Sequence, residues 1–435
     1  MVILVYNEGG KMSDYREMWQ SLDMDLEKHD ELCEVLPKFY SDIYLSQENR
    51  PEGMSYYNFV ISEVHGLRIK ELVNAKEENQ KVVGTFCVYV PDEIINASNG
   101  ISVGLCTGSD FWIPDGEKYL PRNTCPLVKS AVGAKVSGTC PYFQSCDMIV
   151  GETTCDGKKK AWEILDKHAN MYVMDLPQMK RKKDYKHWKE EIFEFSSELS
   201  KLTGKKLTLE NLSDSIDLIN KKRKTLQKLY AFRKLKELPI SGKDALLITQ
   251  IAFYDNIERF IEKTEELIDE LEKRVEDKVS IFAEGTPRIL VTGTPMAVPN
   301  WKLHHLIETS GGAVVCEETC TGTRYFENLV DNTGESIDEK VEALADRYMG
   351  INCACFTPNN GRIDDIIRLH EEYSADGVIY YSLPFCNTYA IEAKQVMDAL
   401  EAKGIPVIHI ESGYSLEDAG QVKTRLEAFF EMLRP

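Results

Sequence analysis

The sequence has no excess of positive charge and no long hydrophobic run. Its 52 lysine and arginine residues are outnumbered by 71 aspartate and glutamate residues, which gives a net charge of −19 at pH 7. Non-specific binding to nucleic acid or to an anionic membrane needs a cationic surface, so this balance argues against both partners. Nowhere do eighteen consecutive apolar residues occur, and we therefore expect no transmembrane helix.

A secretion signal is missing as well. The apolar run Val2–Tyr6 is too short for the core of a signal peptide, and no small-residue cleavage site follows it. We therefore expect a cytoplasmic protein, in which thiols stay reduced. The twelve cysteines of such a chain are interpreted as metal ligands, catalytic groups or core residues rather than as disulfides.

The sequence also lacks a nucleotide-binding motif. The segment Gly151–Lys159 has glycines and lysines like a phosphate-binding loop, but five residues separate Gly151 from Gly157, and Lys159 stands where Ser or Thr is required. No GxGxxG follows a predicted strand. We expect no nucleotide site in this chain.

Hydropathy patterns divide the chain into four segments. Two of them alternate short apolar strands with helices, which is the pattern of a Rossmann-like α/β lobe with a parallel sheet. The other two are helical in pattern, and the second of these is strongly charged and free of cysteine. In chain order, we predict an N-terminal helical segment (1–78), a first α/β lobe (79–178), a helical insertion (179–285) and a second α/β lobe (286–435).

Apolar runs predict four strands in each lobe. In the first lobe these are Val82–Val90, Ile101–Cys106, Asp147–Val150 and Met171–Leu176. In the second lobe they are Arg288–Gly293, Ala313–Cys316, Gly377–Tyr381 and Ile405–Ile410.

The two lobes repeat each other's layout, and cysteines recur in matching places. Cys106 and Cys316 end corresponding strands 210 positions apart, and Cys155 and Cys386 follow corresponding strands 231 positions apart. Cys125 has a counterpart in Cys355, 230 positions later. Open parallel sheets bind ligands at the carboxyl ends of their strands, so we expect these thiols to face a cleft between the lobes.

Three cysteines lie where a helix is predicted to begin. Cys155 and Cys386 each stand between a strand and a helix, and Cys125 precedes Pro126, which suits the first position of a helix. The amino terminus of a helix favours negative charge, which lowers the pKa of a thiol and stabilises an anionic cluster.

The remaining cysteines leave the choice between ligand and core residue open. Neither the group from Cys316 to Cys320 nor the pair Cys353 and Cys355 matches a ferredoxin run or a paired CxxC zinc ribbon. A single cysteine is commonly a small buried hydrophobic residue. That interpretation suits the six cysteines outside the candidate sites, which are Cys33, Cys87, Cys106, Cys140, Cys146 and Cys316.

Six segments of the chain carry a family resemblance. They are CPLVKS (125–130), DMIVGETTCDGKKKAWE (147–163), EETCTG (317–322), NCACFTPNNGRID (352–364), DGVIYYSLPFCNTYAIE (376–392) and GQVKTRLEAFFEML (420–433). Together they resemble the 2-hydroxyacyl-CoA dehydratase and benzoyl-CoA reductase superfamily, and within it the double-cubane cluster proteins. The resemblance runs from about residue 80 to the C-terminus and is weakest in the helical insertion.

The resemblance implies two Rossmann-like lobes that face a cleft holding an iron–sulfur cluster. Ordinary members hold one [4Fe–4S] cubane with three cysteines, and the matching positions here are Cys125, Cys155 and Cys386. The double-cubane branch carries an [8Fe–9S] unit, in which two cubanes are bridged by a sulfide. The second set of ligands implied is Cys320, Cys353 and Cys355, with Cys316 as the reserve.

The implied activity is reduction of a small molecule at low potential. Electrons would come from a separate ATP-hydrolysing activator with its own [4Fe–4S] cluster, and the family is usually dimeric, so a homodimer is expected. Glu318 and Lys158 lie near the ligands in sequence and are candidates for proton delivery or charge balance, with a salt-bridged structural role as the alternative.

Two other functions stay open at this point. One is a single-cubane subunit that dehydrates a 2-hydroxyacyl-CoA, for which three ligand cysteines suffice. The other is a zinc-bound structural protein, which the absence of CxxC pairs disfavours.

Overall fold

The computed structural model describes residues 13–434. The apolar run Val2–Tyr6, whose length argues against a secretion signal, lies outside the described residues. Among the residues from 13 to 434, no helix is both long enough and apolar enough to cross a membrane.

Four helices come first, and they pack into the main hydrophobic core. They are α1 (Ser13–Ser21), α2 (Leu26–Tyr40), α3 (Met54–Ser62) and α4 (Leu67–Glu77). A single π-helical turn at Ser41–Leu45 extends α2. In this turn Tyr44 is fully buried and donates its hydroxyl to the carbonyl of Lys243, 199 residues later.

The first lobe is built on four parallel strands. They are β1 (Lys81–Thr85), β2 (Gly100–Gly104), β3 (Met148–Glu152) and β4 (Met171–Met174), in the order β2-β1-β3-β4. The connecting helices are α5 (Asp92–Ala97), α6 (Ile113–Gly116), α7 (Pro126–Val136), α8 (Pro141–Ser145) and α9 (Asp156–Leu165).

The predicted strand Val82–Val90 is wrong over its second half, because β1 ends at Thr85. Beyond this point the chain leaves the sheet, although Phe86 and Val88 stay buried. Burial produces an apolar run in a strand and in a buried loop alike, so the run alone does not separate them. Cys87 therefore lies in a loop just beyond the carboxyl end of β1.

Four helices form the segment between the lobes: α10 (Lys182–Thr203), α11 (Leu209–Ala231), α12 (Gly242–Ile251) and α13 (Ile257–Glu276). Every residue of α12 is buried, and this helix packs between α3 and the second sheet. The insertion is thus part of the core that joins the segments.

The second lobe repeats the topology of the first. Its parallel strands are β5 (Arg288–Gly293), β6 (Ala313–Glu318), β7 (Gly377–Ser382) and β8 (Val407–Glu411), in the order β6-β5-β7-β8. Its helices are α14 (Lys302–Thr309), α15 (Thr323–Phe326), α16 (Ile337–Gly350), α17 (Asn360–Glu372), α18 (Asn387–Glu401) and α19 (Ala419–Leu433). Since each strand occupies the place of its counterpart in the other sheet, the predicted α/β fold with two Rossmann-like lobes is confirmed.

A buried ionic contact ties both lobes to the insertion. Arg223 of α11 donates to Glu93 of α5 at 2.5 Å, and Tyr348 of α16 donates to the same carboxylate at 2.7 Å. All three side chains are buried. Removal of one partner from a buried, hydrogen-bonded ion pair of this kind costs about 3–5 kcal/mol of stability. The contact fixes the lobes, and with them the cleft between their strand ends.

Candidate metal centre

Three cysteines occupy equivalent places at the amino ends of helices. Cys155 caps α9 after β3, Cys386 caps α18 after β7, and Cys125 precedes α7. The Cys155 sulfur accepts the backbone N–H of Lys158 at 3.4 Å. The free N–H groups and the dipole of a helix start stabilise a thiolate there.

These three thiols come together although they belong to different lobes. Cys125 lies beside Cys386, and this contact, together with backbone N–H groups of α7, lowers the pKa of Cys125 although burial opposes the change. The helix starts do not lower the pKa of the other two thiols: burial raises that of Cys155, with Cys386 adding to the rise, and contact with Cys125 together with burial raises that of Cys386. We call Cys125, Cys155 and Cys386 the first sulfur group.

Another three thiols meet in the second lobe. Cys353 and Cys355 lie on the loop after α16, and their contact with each other lowers the pKa of Cys353 well below the usual value. The Cys320 thiol, on the loop after β6, interacts electrostatically with both of them. The Cys353 sulfur is also 3.4 Å from the Tyr389 hydroxyl. We call Cys320, Cys353 and Cys355 the second sulfur group, and all three are buried.

Cys87 adjoins the second sulfur group, which the sequence interpretation as a core residue did not anticipate. Its thiol interacts with that of Cys320, and this contact raises the pKa of Cys87 and lowers that of Cys320. The available signal was its position two residues beyond the carboxyl end of β1, where the rule for parallel sheets places ligands. The apolar run around it concealed that end.

Cys316 and Cys106 lie in different surroundings. Cys316 is fully buried within β6, and burial raises its pKa, with Glu317 and Arg233 as the nearby charges. Cys106 donates to the carbonyl of Phe86 at 2.6 Å, and burial raises its pKa to about 12. Both settings suit protonated core thiols.

Cationic side chains border the second sulfur group. The Lys158 side chain is only 11% exposed, and its Nζ is 3.6 Å from Glu152 Oε2. Although burial opposes its charge, the Cys87 thiol and the Glu152 carboxylate hold the pKa of Lys158 well above the usual value. Lys180 interacts electrostatically with Cys353, and Arg324 helps to lower the pKa of that thiol. Clustered thiolates carry several negative charges, and burying them is costly unless nearby cations balance them. Lys158, Lys180 and Arg324 provide such cations here.

Glu318 is paired on both oxygens. Arg324 and Arg362 donate to it, and Thr292 donates its hydroxyl to Oε2 at 2.5 Å. The carboxyl is buried, which opposes ionisation, but the two guanidinium groups lower its pKa. A carboxyl held in its ionised form is a poor proton donor, so this environment favours the salt-bridged structural role.

An apolar cavity of about 150 Å³ opens beside the second sulfur group. Cys87, Cys106, Cys320, Lys158 and His65 are among the residues that line it. Most of the remaining lining is aliphatic or aromatic, with Leu32, Leu36, Trp112, Leu127, Phe253 and Val298 among its members. A cavity of this size and lining holds a molecule about as large as benzene.

The donor set fits an iron–sulfur centre better than a single ion. All twelve cysteines are free of disulfides. The only group of three or more His, Cys, Asp or Glu ligand atoms within 4.8 Å of one another, among the described residues, lies elsewhere. Within each group at least one pair of sulfurs is therefore more than 4.8 Å apart, although Cys125 contacts Cys386 and Cys353 contacts Cys355. Three free thiols in each group are the type of donor that an iron–sulfur cluster takes.

Comparison with known proteins places the chain in a family. A sequence model of the 2-hydroxyglutaryl-CoA dehydratase D-component matches residues 87–433. The chain is similar to the protein YjiM of Escherichia coli (strain K12), with 38% identity over 83% of this chain and 94% of that protein.

Two further relatives are more distant. The (R)-phenyllactyl-CoA dehydratase beta subunit of Clostridium sporogenes is 23% identical over 82% of this chain and 93% of its own length. A benzoyl-CoA reductase subunit of Thauera aromatica is 22% identical over 80% of this chain and 88% of its own length. The chain therefore belongs to the 2-hydroxyglutaryl-CoA dehydratase D-component family, within the 2-hydroxyacyl-CoA dehydratase superfamily of enzymes.

Proposed function

We propose that this protein is an oxidoreductase component that carries an [8Fe–9S] double-cubane cluster and reduces a small molecule at low potential. The observation that carries the proposal is the presence of two separate sulfur groups, the first drawn from both lobes and the second from loops of the second lobe. Each group offers three cysteines, which is the number that one cubane of this family takes.

The first sulfur group would hold one cubane and the second would hold the other. When bound, the cluster supplies electrons at a potential set by its thiolate ligands, by hydrogen bonds to sulfur and by burial. The chain's own contribution is electrostatic. Lys158, Lys180 and Arg324 offset the negative charge, while the Tyr389 hydroxyl lies within reach of the Cys353 sulfur.

The apolar cavity is the substrate site in this proposal. Because about 150 Å³ is too small for a coenzyme-A group, we propose a small substrate or the reacting part of a larger one. Apolar walls exclude water from the reduced centre. Lys158 lines the cavity beside these thiols with Glu152 as its buried partner, and because its pKa is held well above the usual value it balances charge there rather than donating a proton.

Electrons would reach the cluster from a separate ATP-hydrolysing protein with its own [4Fe–4S] cluster. The absence of a phosphate-binding loop in this sequence agrees with that division of labour. The net charge of −19 favours docking to a basic face of that partner. Rates of electron transfer should then fall as salt rises, and a rate independent of salt would remove the electrostatic part of the proposal.

A single-cubane dehydratase subunit is the second candidate, because the family model and two of the relatives are named for dehydratases. It needs only the first sulfur group. It leaves the second group, with its neighbouring cations, without a function.

Metal analysis of the anaerobically purified protein separates these candidates. We expect about eight irons and acid-labile sulfide per chain for a double cubane, and about four for a single cubane. Zinc without iron or sulfide would indicate the zinc-bound structural protein instead. A wild type with about four irons, all of which survive removal of the second sulfur group, would overturn the double-cubane proposal.

We further propose a homodimer in the cytoplasm. Twelve free cysteines persist in a reducing compartment. Light scattering of the anaerobic holoprotein should give twice the chain mass of 49.6 kDa, and the monomer mass would contradict the dimer.

A further inference from the structure

Two histidines and a cysteine meet among the N-terminal helices, apart from both sulfur groups. His29 and Cys33 lie one turn apart on α2, and His65 lies in the turn between α3 and α4. His29 Nε2 is 3.0 Å from His65 Nδ1, and Cys33 Sγ is 3.7 Å from His29 Nε2. Their ligand atoms all lie within 4.8 Å of one another.

We propose that His29, Cys33 and His65 form a binding site for one zinc ion. Zn–N bonds of about 2.0–2.1 Å and a Zn–S bond of about 2.3 Å, set tetrahedrally, place neighbouring donor atoms about 3.3–3.6 Å apart. The two distances measured here lie on either side of that range. Rotation of the Cys33 and histidine side chains would bring all three donors to one ion, since their ligand atoms already lie within 4.8 Å of one another.

Hydrogen bonding among the three groups does not account for their arrangement. Cys33 Sγ lies 3.8 Å from Nδ1 and 3.7 Å from Nε2 of the same imidazole. A sulfur at nearly equal distance from both nitrogens points along neither lone pair. Only the contact between the two rings has the length of a good hydrogen bond. An ion bound on the Nε2 lone pair of His29 therefore requires the Cys33 thiol to turn toward that lone pair from its position in this structure.

The surroundings hold the donors in place. His29 is fully buried, and Trp19 packs edge-on against its ring with centroids 4.4 Å apart. Trp19 Nε1 also donates to the backbone carbonyl of His65 at 2.8 Å. Neighbours that fix the orientation of ligands in this way are typical of metal sites.

The open fourth position has an evident direction. His65 lines the apolar cavity, which Cys87 and Cys320 also line. Three protein ligands and one position open to a cavity are the pattern of zinc sites that bind water or substrate. The site is independent of the iron–sulfur proposal, since it shares no residue with either sulfur group.

Zinc content of the holoprotein tests the site. Anaerobic protein is exposed to Zn²⁺, desalted and measured for zinc and iron. We expect about one retained zinc per chain in the wild type, beside unchanged iron. Cys33→Ala and His65→Ala should each lose that zinc at least about tenfold, since one of three ligands is removed.

Matched variants show whether the loss is specific. Cys146→Ala and His187→Ala remove the same side-chain types away from the site, and both should keep the zinc. Iron content and the thermal transition show that each variant is folded, and Cys33→Ser, which keeps the side-chain size, replaces Cys33→Ala if that variant does not fold.

X-ray absorption at the zinc edge gives a second readout. Two nitrogen scatterers and one sulfur scatterer from the protein support the site. The proposal is overturned if the wild type retains no zinc, if Cys33→Ala retains as much as the wild type, or if the zinc is surrounded by sulfur alone.

Discussion

The thiol of Cys87 lies against that of Cys320, so the strand ends of the two lobes meet sulfur to sulfur. Cys87 follows β1 of the first lobe, and Cys320 follows β6 of the second. The contact raises the pKa of one thiol and lowers that of the other. It brings a fourth cysteine to the second sulfur group, where the proposed cubane takes three.

Substitution separates the ligands of the second cubane from their neighbour. We expect Cys355→Ala to lose about half of the iron, because a cubane left with two thiolates is not retained. Cys87→Ala should keep the full iron content, since its thiol contacts Cys320 alone among the three. Iron and sulfide analysis of both variants is the measurement. The reverse pattern would make Cys87 a ligand in place of Cys355.

A buried carboxylate in the second lobe should be important for stability. Glu317 accepts from Arg233 at 2.6 Å and from His304 at 2.9 Å, and these partners lower its pKa to about 2 although burial opposes ionisation. Glu317→Ala leaves the Arg233 charge buried and unpaired, which should cost about 3–5 kcal/mol. Anaerobic urea unfolding of the holoprotein measures this loss.

The exposed ion pair between Lys160 and Glu163 provides the control. Their side chains are 73% and 69% exposed, so Glu163→Ala should change the free energy of unfolding by less than about 1 kcal/mol. Equal losses in the two glutamate variants would show that burial of the Glu317 pair contributes nothing.

Glu308 predicts how stability depends on pH. Burial raises its pKa from 4.5 to about 7, although one of its oxygens accepts the backbone N–H of Gly242. The folded state therefore holds its proton over a pH range in which the unfolded state has lost it. This contribution is complete below about pH 4.5 and is lost as pH rises to about 7.

The size of the effect follows from the same values. At about 1.4 kcal/mol per pH unit of difference in pKa, the loss is on the order of 3 kcal/mol. Glu308→Gln should flatten the dependence between pH 5 and pH 8 in urea unfolding. Glu262→Gln, on the exposed face of α13, should leave it as in the wild type; a flat wild-type profile would contradict the assignment.

Local sequence patterns predicted a strand correctly where a single residue determines where it ends. The strand Arg288–Gly293 coincides with β5 because Gly293, at a φ of 136°, ends it. The repeated layout of the two lobes was visible in the sequence as a repeat of strands and cysteines, whereas the strand order came from the structure. Val82–Val90 was predicted too long because buried loops and buried strands have the same composition.

The site was less visible than the fold. Cys125, Cys155 and Cys386 stood out because each precedes a helix, and the structure brings their thiols together. The contact of Cys87 with Cys320 joins residues 233 positions apart, and a contact between two lobes leaves no local pattern. His65 likewise meets His29 only through the turn between α3 and α4, which spacing along the chain does not reveal.

Lys180 should tune the potential of the second cubane. Its Nζ donates to the carbonyl of Ile351 at 2.9 Å and lies 4.5 Å from the centre of the Phe356 ring, next to the loop of Cys353 and Cys355. Burial lowers its pKa to about 8, so the ammonium is mostly charged at pH 7. Reduction adds negative charge to the cluster, and a nearby cation favours the reduced form.

Removal of this charge should therefore make reduction harder. For Lys180→Gln we expect a potential more negative by on the order of 50–100 mV, for one charge within about 10 Å at an effective dielectric constant of about 20. Redox titration followed by electron paramagnetic resonance measures the shift. Lys182→Gln, exposed at the start of α10, should leave the potential unchanged. Equal shifts in the two variants would show that Lys180 acts only through the overall charge of the protein, because a local effect must depend on its position beside Cys353 and Cys355.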